Sequence, residues 1–506
     1  MTEVERRKQS CEDARVAVAK TPAPRYPSAD AVTAEATSGT DDISRALARL
    51  ARELGWGDSE RGAFSKLIPR GARVLVKPNF VTHENQGAGG IEPLVTHASL
   101  VRAVVEALLQ TEAAEVSVGD APVQGCDFAA LLRETKLAEW SDELMRRDGR
   151  FRGIRDFRRT ISVFQDGVRV ASENLRDESE FTLFDLGGES LLEPITDESG
   201  AFRVTCYDPR LMRKTHAPGR HQYLIARAVL DADVVVNLPK LKTHKKAGIT
   251  CALKNLIGIN GNKEYLPHHR IGGASFGGDC YPGANPLKRS LEFVLDRQNS
   301  TARPALGKVW QGLGVQLERA ARLAGDSLGV EGSWSGNDTV WRTALDLNRV
   351  ILYGHRDATF ADAPARLVVH IADAVVAGQG DGPLAPEALP LGLLLGSWNA
   401  AAMDWVGAYL LGYAPAHVSI AREAFGEFRW PLTTFAHEAV RVCGDLGEGA
   451  ADELLGARKE PLFRVKHPAG WRDAAAPAVA VNGAHAPAHG HTRSQTRSQT
   501  RSSSQS

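Results

Sequence analysis

The sequence predicts an α/β fold: a mostly parallel sheet covered by helices on both faces, with a β-rich insertion and a helical insertion. Three observations predict it. The runs Arg73-Val-Leu-Val-Lys77, Val116-Ser-Val-Gly119 and Asp233-Val-Val-Val-Asn237 are short and nearly unbroken in apolar character, as strands buried on both faces require. Segments of helical periodicity alternate with the first two, and β-α-β-α order folds most simply into a parallel sheet. The strand ends carry Lys, Asn and Asp, residues suited to the ligand crevice at the carboxyl edge of an open sheet.

Taken in order, residues 1–40 are rich in Ala, Thr, Ser, Pro and charge without periodicity, and are expected to be a disordered tail. Residues 41–150 form a first α/β segment. Its helices are an amphipathic one from Asp42 to Leu54 with Asp at its start, one from Leu100 to Gln110, and one from Phe128 to Lys136. Residues 151–220 change to alternating runs at 161–164, 168–170 and 181–184, a β-rich insertion. Residues 221–286 return to the α/β core, with a helix from Tyr223 to Leu230 before the strand at 233–237. A helical insertion spans 287–347, centred on Leu306 to Leu323. The C-terminal α/β segment, 348–472, has strands at Val350–Tyr353, Leu367–Ile371 and Leu391–Leu395, then a helix from Ala400 to Leu411 stopped by Gly412. Gly378–Pro383 reads as a tight loop with Asp381 at its apex. Residues 473–506 form a second polar, disordered tail, including His485, His489 and His491.

Lysine plus arginine and aspartate plus glutamate both number 61, so the chain is formally neutral. A nucleic-acid partner, which would call for a basic excess, is not expected. Neither is a membrane: the most apolar stretch, Leu389 to Tyr413, contains Asn399 and Asp404 and reads as a strand plus a capped helix. The six cysteines include no C-x-x-C pair, which excludes a ferredoxin-type cluster or a zinc ribbon within this sequence. Isolated cysteines suit a reducing, cytoplasmic compartment.

Lysine usage marks the functional centre. Arginine outnumbers lysine 45 to 16, yet six lysines fall between 240 and 263, and no acid interrupts Leu238 to Lys263. Lysine supplies a compact charge of tunable pKa where arginine cannot. His244 is the candidate general acid or base, grouped with Lys242 and Asp373 as catalytic. Lys77, Asn79, Asp120, Lys240, Thr243, Thr250, Lys254, Asn255, Lys263 and Asp381 are candidate ligand-binding residues. Thr250, Lys254 and Asn255 are spaced to share a helical face or a turn. His244, His268 and His269 are candidate ligands for a divalent metal, at spacings that match no established motif.

The motifs Val76-Lys-Pro-Asn79, Val118-Gly-Asp120, Ala232 to His244 and Thr250 to Gly258 occur in an order that resembles the family known as domain of unknown function 362. The resemblance continues through Lys263, His268, Asp373, Gly380 to Pro383 and Met403 to Gly412. Some members carry a ferredoxin-like iron–sulfur module, for which this chain lacks the cysteines. The family has no general activity to carry over. The residues therefore point to an enzyme, an isomerase or an oxidoreductase, acting by proton transfer on a small anionic carboxylate or phosphate. The alternatives are a metal- or cofactor-dependent redox protein and a non-catalytic binder of an anion or partner.

Overall fold

The computed structural model describes residues 2–26, 41–58, 60–165, 168–205, 207–301, 303–326, 328–458 and 460–474. Its centre is an 11-stranded mixed, mostly parallel sheet. The strands are β1 (Arg15–Lys20), β2 (Arg73–Pro78), β3 (Glu115–Asp120), β4 (Phe151–Asp156), β5 (Val234–Leu238), β6 (Lys240–His244), β7 (Gly248–Thr250), β8 (Leu367–Asp381), β9 (Ala385–Ser397), β10 (Arg441–Gly444) and β11 (Gly449–Ala450). They lie in the order β11-β10-β1-β9-β8-β5-β2-β3-β4, with β6 continuing alongside β8 and carrying β7.

The strands from β8 to β4 are parallel, and their alternation feeds two cores. Leu75, Val235 and Val368 face one, and Val74, Val76, Val234 and Val236 face the other. Helices α1 (Glu3–Glu12), α2 (Asp42–Glu53), α3 (Ala98–Leu109), α4 (Phe128–Glu134), α5 (Leu137–Arg147), α6 (Ala252–Asn255), α7 (Pro286–Ser300), α8 (Pro304–Leu323), α9 (Val340–Tyr353) and α10 (Ala400–Leu410) are distributed around it. The second core holds the inner faces of α2 and α3, and the first holds α9 and α10, so both faces of the sheet are covered. Among the described residues, no helix is long and apolar enough to cross a membrane.

The β-rich insertion is present as the pair Thr160–Gln165 with Val168–Asn174, and as a three-stranded sheet of Phe181–Asp185, Arg220–Ala226 and His216–Ala217. The helical insertion is α7 and α8, which approach closely where Gly314 meets Val294 and Leu291.

Four expectations are corrected. Residues 2–26 are ordered, whereas 27–40 and 475–506, including His485, His489 and His491, lie outside the described residues. Thr2 and Glu5 form a capping box on α1, and β1 is inserted between β9 and β10 with Val16–Ala19 buried. A polar composition averaged over forty residues hid this six-residue strand. Residues 220–226 form a strand, because His221, Tyr223 and Ile225 alternate inward and pair with 181–185; helix occupies only Arg227–Leu230. Val350–Tyr353 is the last turn of α9, a short apolar run whose periodicity extends back to Val340. Gly378–Asp381 is not a loop: β8 runs on to Asp381, paired with β9, and the turn follows at Gly382-Pro383.

Candidate functional site

The carboxyl ends of three parallel strands place Lys77, Asn237 and His370 in one register row, one step beyond the apolar row of Leu75, Val235 and Val368. The sheet would bury this polar row without partners if α6 did not lie over it. Asn255 of α6 donates to Asn237 Oδ1 at 2.7 Å, and its own Oδ1 accepts from Asn79 at 2.8 Å and from Lys77 Nζ at 3.2 Å. Lys77 Nζ also meets Asp120 Oδ1 at 2.7 Å, while Asp120 Oδ2 accepts from the Phe80 amide. Burial lowers the Lys77 pKa and the Asp120 charge opposes that. The network closes on Gly258, where a Cβ would fall 2.0 Å from Asp120 Oδ1 and 2.7 Å from Lys77 Nζ.

A second cluster is sealed from solvent. Lys240 Nζ lies 2.6 Å from Asp373 and 2.6 Å from the Tyr26 hydroxyl, which donates to the other Asp373 oxygen at 2.6 Å. Tyr26 stacks on His97 at 3.7 Å. Both Lys240 and Asp373 are fully buried, so the pair is a structural fastening between β6, β8 and the N-terminal segment. Lys242 is likewise buried and donates to the carbonyls of Leu94 and Pro383. Burial and the charges of Lys240 and Lys254 push its pKa well down, against the weaker pull of Asp120.

The third group is partly exposed, apart from the buried His244. Burial lowers the pKa values of His244, Lys254 and His268, and the charges of Lys246 and of one another lower them further, with Lys263 acting on Lys254 and His268. Lys254, Lys263 and His268 are only partly buried. Lys254 is brought down to about 7 by burial and by Lys263, Lys246 and Lys77. Lys263, whose ammonium donates to Ala121 O, is brought down to about 8 by burial, against the pull of Asp120. Among the described residues, no hydrogen bond or ion pair engages the Lys254 amine.

The two histidines carry their protons differently. His244 Nδ1 accepts from the Lys246 and Ala247 amides, so its proton sits on Nε2. His268 Nδ1 donates to Leu266 O at 2.7 Å, which leaves Nε2 as an acceptor. His244 is thus placed to donate a hydrogen bond through Nε2, and His268 to accept one.

Burial also holds His97, His216 and His370 down to about 3 each, from 6.5. Between pH 6.5 and 3 the unfolded chain takes up protons that the folded chain refuses, so stability falls as the pH drops through this window. Each histidine should contribute a slope of about 1.4 kcal/mol per pH unit. Urea unfolding across this range checks it; a flat stability from pH 6.5 to 4.5 would contradict the burial of these neutral rings.

The structure therefore gathers Lys77, Asn79, Asp120 and Asn255 in one network. It sets Lys254, Lys263, His244 and His268 in an adjoining, partly buried cluster and separates Lys240 and Asp373 from both. Asp373 and Lys242 are not positioned as catalytic groups, because their charged atoms are occupied by protein partners away from solvent. Thr243 Oγ1 is spent on Gly380 O. Thr250 lies across from Lys242 on β7 with its buried hydroxyl unpartnered, rather than on a helical face with Lys254. Asp381 is exposed and lines, with Lys245 and Glu331, a surface cavity of about 540 Å³ next to α8.

The histidine metal set is not assembled. Among the described residues, no group of three or more His, Cys, Asp or Glu is arranged to hold an ion. His244 spends Nδ1 on amides, His268 spends Nδ1 on a carbonyl, and His269 Nδ1 is buried without a partner.

Sequence reasoning missed Tyr26, His370 and Asp404, and marked Asn237 only as a strand end. Asp404 accepts from the Leu253 amide at the start of α6, and burial raises its carboxyl to about 7. The available signal was a single carboxyl in the otherwise apolar helix 400–410.

No curated protein matches the chain. Among solved structures, a crystal structure of a protein from Thermotoga maritima, a Northeast Structural Genomics Consortium target, is similar with a TM-score of 0.29 and 10% identity. The similarity covers 69% of this chain and 53% of that one, so the chain spans about half the length of that protein. Residues 74–166 and 186–409 match the family described as Domain of unknown function (DUF362), a stretch that contains every element of the lysine networks except Tyr26, and the chain belongs to that family.

Proposed function

We propose that the chain binds the carboxylate or phosphate of a small metabolite at Lys254 and Lys263, and moves a proton on that metabolite with His268 and His244. The observation that carries this reading is the half-buried Lys254 ammonium, unpartnered among the described residues and surrounded by other cations. Burying a cation without a counter-charge is unfavourable, and an anionic ligand would reverse that. The unpartnered Thr250 hydroxyl adds a nearby polar group. His268 Nε2 can accept a proton, and the neutral His244 can donate a hydrogen bond to an oxygen that gains charge. An acceptor and a donor beside an anion site are what proton transfer next to a carboxylate needs.

Sulfate, whose charge is constant through the neutral range, is the simplest probe. In titration calorimetry, Lys254→Met should weaken its binding at least about tenfold, the scale of a charge-assisted hydrogen bond. Equal affinity for the variant and the parent protein would end the proposal.

The pH dependence has a definite sign. Anion binding needs protonated lysine, so sulfate affinity should be level below pH 7. It should then fall as the pH rises through about 7 and about 8, where Lys254 and Lys263 lose their protons. The decline is up to about tenfold per unit for each lysine. An affinity that rises over the same range would contradict it.

The proton-transfer half is tested separately. His268→Asn should retain sulfate binding and lose deuterium exchange from solvent into the carbon next to the carboxylate of a bound ligand.

A further inference from the structure

Of the lysines that perturb one another in this region, all but one are tied to the protein. Lys77 holds Asp120 and Asn255, and Lys242 holds two carbonyls. Lys246 reaches Thr205 and Glu331, and Lys263 donates to Ala121 O. Lys254 differs. It stands on the four-residue α6, which Asp404 holds at one end and Asn255 pins to the sheet at the other. Its amine has no hydrogen-bond or ion-pair partner among the described residues. The neighbouring Lys245 amine is also without a hydrogen-bond or ion-pair partner among the described residues, but it lines the surface cavity beside α8. A rigidly mounted, partly buried amine that holds nothing is arranged to react rather than to fasten.

We propose that Lys254 is a nucleophile that forms an imine with the carbonyl carbon of an oxo acid, whose anionic group is held by the surrounding cations. The inference rests on the anion-binding reading above and narrows its substrate to a carbonyl-bearing anion. Crowding by neighbouring cations together with desolvation is how a lysine is kept as an amine near neutral pH, and the Lys254 amine meets both conditions.

The step balances. The Lys254 ammonium gives one proton to water, as a pKa of about 7 allows, and the freed lone pair attacks the carbonyl carbon. The carbonyl oxygen, hydrogen-bonded by His244 Nε2–H, becomes the hydroxyl of a carbinolamine. The nitrogen sheds a second proton, and the two protons it has lost leave on that oxygen as water. The product is a protonated imine with one N–H, formed with no oxidant or reductant. Such an imine draws electrons from the adjacent carbon, which is the place where a base such as His268 would then remove or return a proton.

Borohydride trapping tests this. The full chain is incubated with glyoxylate, pyruvate, acetoacetate or 2-oxoglutarate, reduced with sodium borohydride, and analysed by intact-mass and peptide mass spectrometry. One reduced adduct, mapped to Lys254, reduced in yield by excess sulfate and retained in Lys245→Arg, is the expected result for at least one of the acids. Lys254→Arg, which keeps the charge but cannot form an imine, should bind sulfate and yield no adduct. Absence of an adduct with all four acids, or adducts spread over surface lysines without preference for Lys254, overturns the proposal. Sulfate binding by the parent protein and Lys254→Met judges the anion site independently, so failure of the imine and failure of the site are distinguishable.

Discussion

Replacing Gly258 with alanine is expected to destabilise the fold by about 3–5 kcal/mol, the loss typical of breaking a buried ion pair. The new methyl would fall 2.0 Å from Asp120 Oδ1 and 2.7 Å from Lys77 Nζ. Neither group has room to retreat. Asp120 is held by the Phe80 amide, and Lys77 by Asn255 and the Pro78 carbonyl. Separating them would leave a fully buried ammonium and a nearly buried carboxylate without each other. The same displacement would push on Asn255, the anchor of α6, so sulfate affinity should fall with stability. Urea denaturation of Gly258→Ala beside Gly149→Ala checks this, because a Cβ at Gly149 meets nothing within 4 Å. The control should change stability by less than about 0.5 kcal/mol, as surface substitutions do. Similar effects at the two positions would show that the close approach at Gly258 is not what holds the network.

The second large effect is expected at Lys240. Lys240→Met should remove about 3–5 kcal/mol by stranding Asp373 in the core with only the Tyr26 hydroxyl, the His97 amide and the Val375 amide to satisfy it. The double variant Lys240→Met/Asp373→Leu should recover most of that loss, since apolar replacement of a whole buried pair is often neutral. Sulfate affinity, measured on the folded fraction, should be unchanged in both. This separates the fastening role from the catalytic role that the sequence suggested for Asp373. A double variant no more stable than the single one, or a loss of sulfate binding at constant folding, would return Asp373 to the site.

The fold class and the location of the candidate site were legible in local patterns. Three apolar runs fixed the parallel strands because a strand buried on both faces needs an unbroken run. The density of lysine without acid between 238 and 263 marked where charge must be handled. What failed locally was short or diluted: β1 is six residues inside a polar forty, and Val350–Tyr353 is too brief for its period to separate strand from helix.

The sequence by itself determined that this segment is basic, glycine-containing and attached to a strand end, and that the chain carries the motifs of its family. Only the tertiary structure decided which lysine is satisfied and which is free. The reason is distance along the chain. Lys77 finds Asp120 43 positions away, and Lys240 finds Asp373 and Tyr26 at separations of 133 and 214. Counter-charges that remote leave no trace in spacing or periodicity. The proton positions on His244 and His268 were equally out of reach, because each is set by backbone groups whose orientation exists only once the loops are folded.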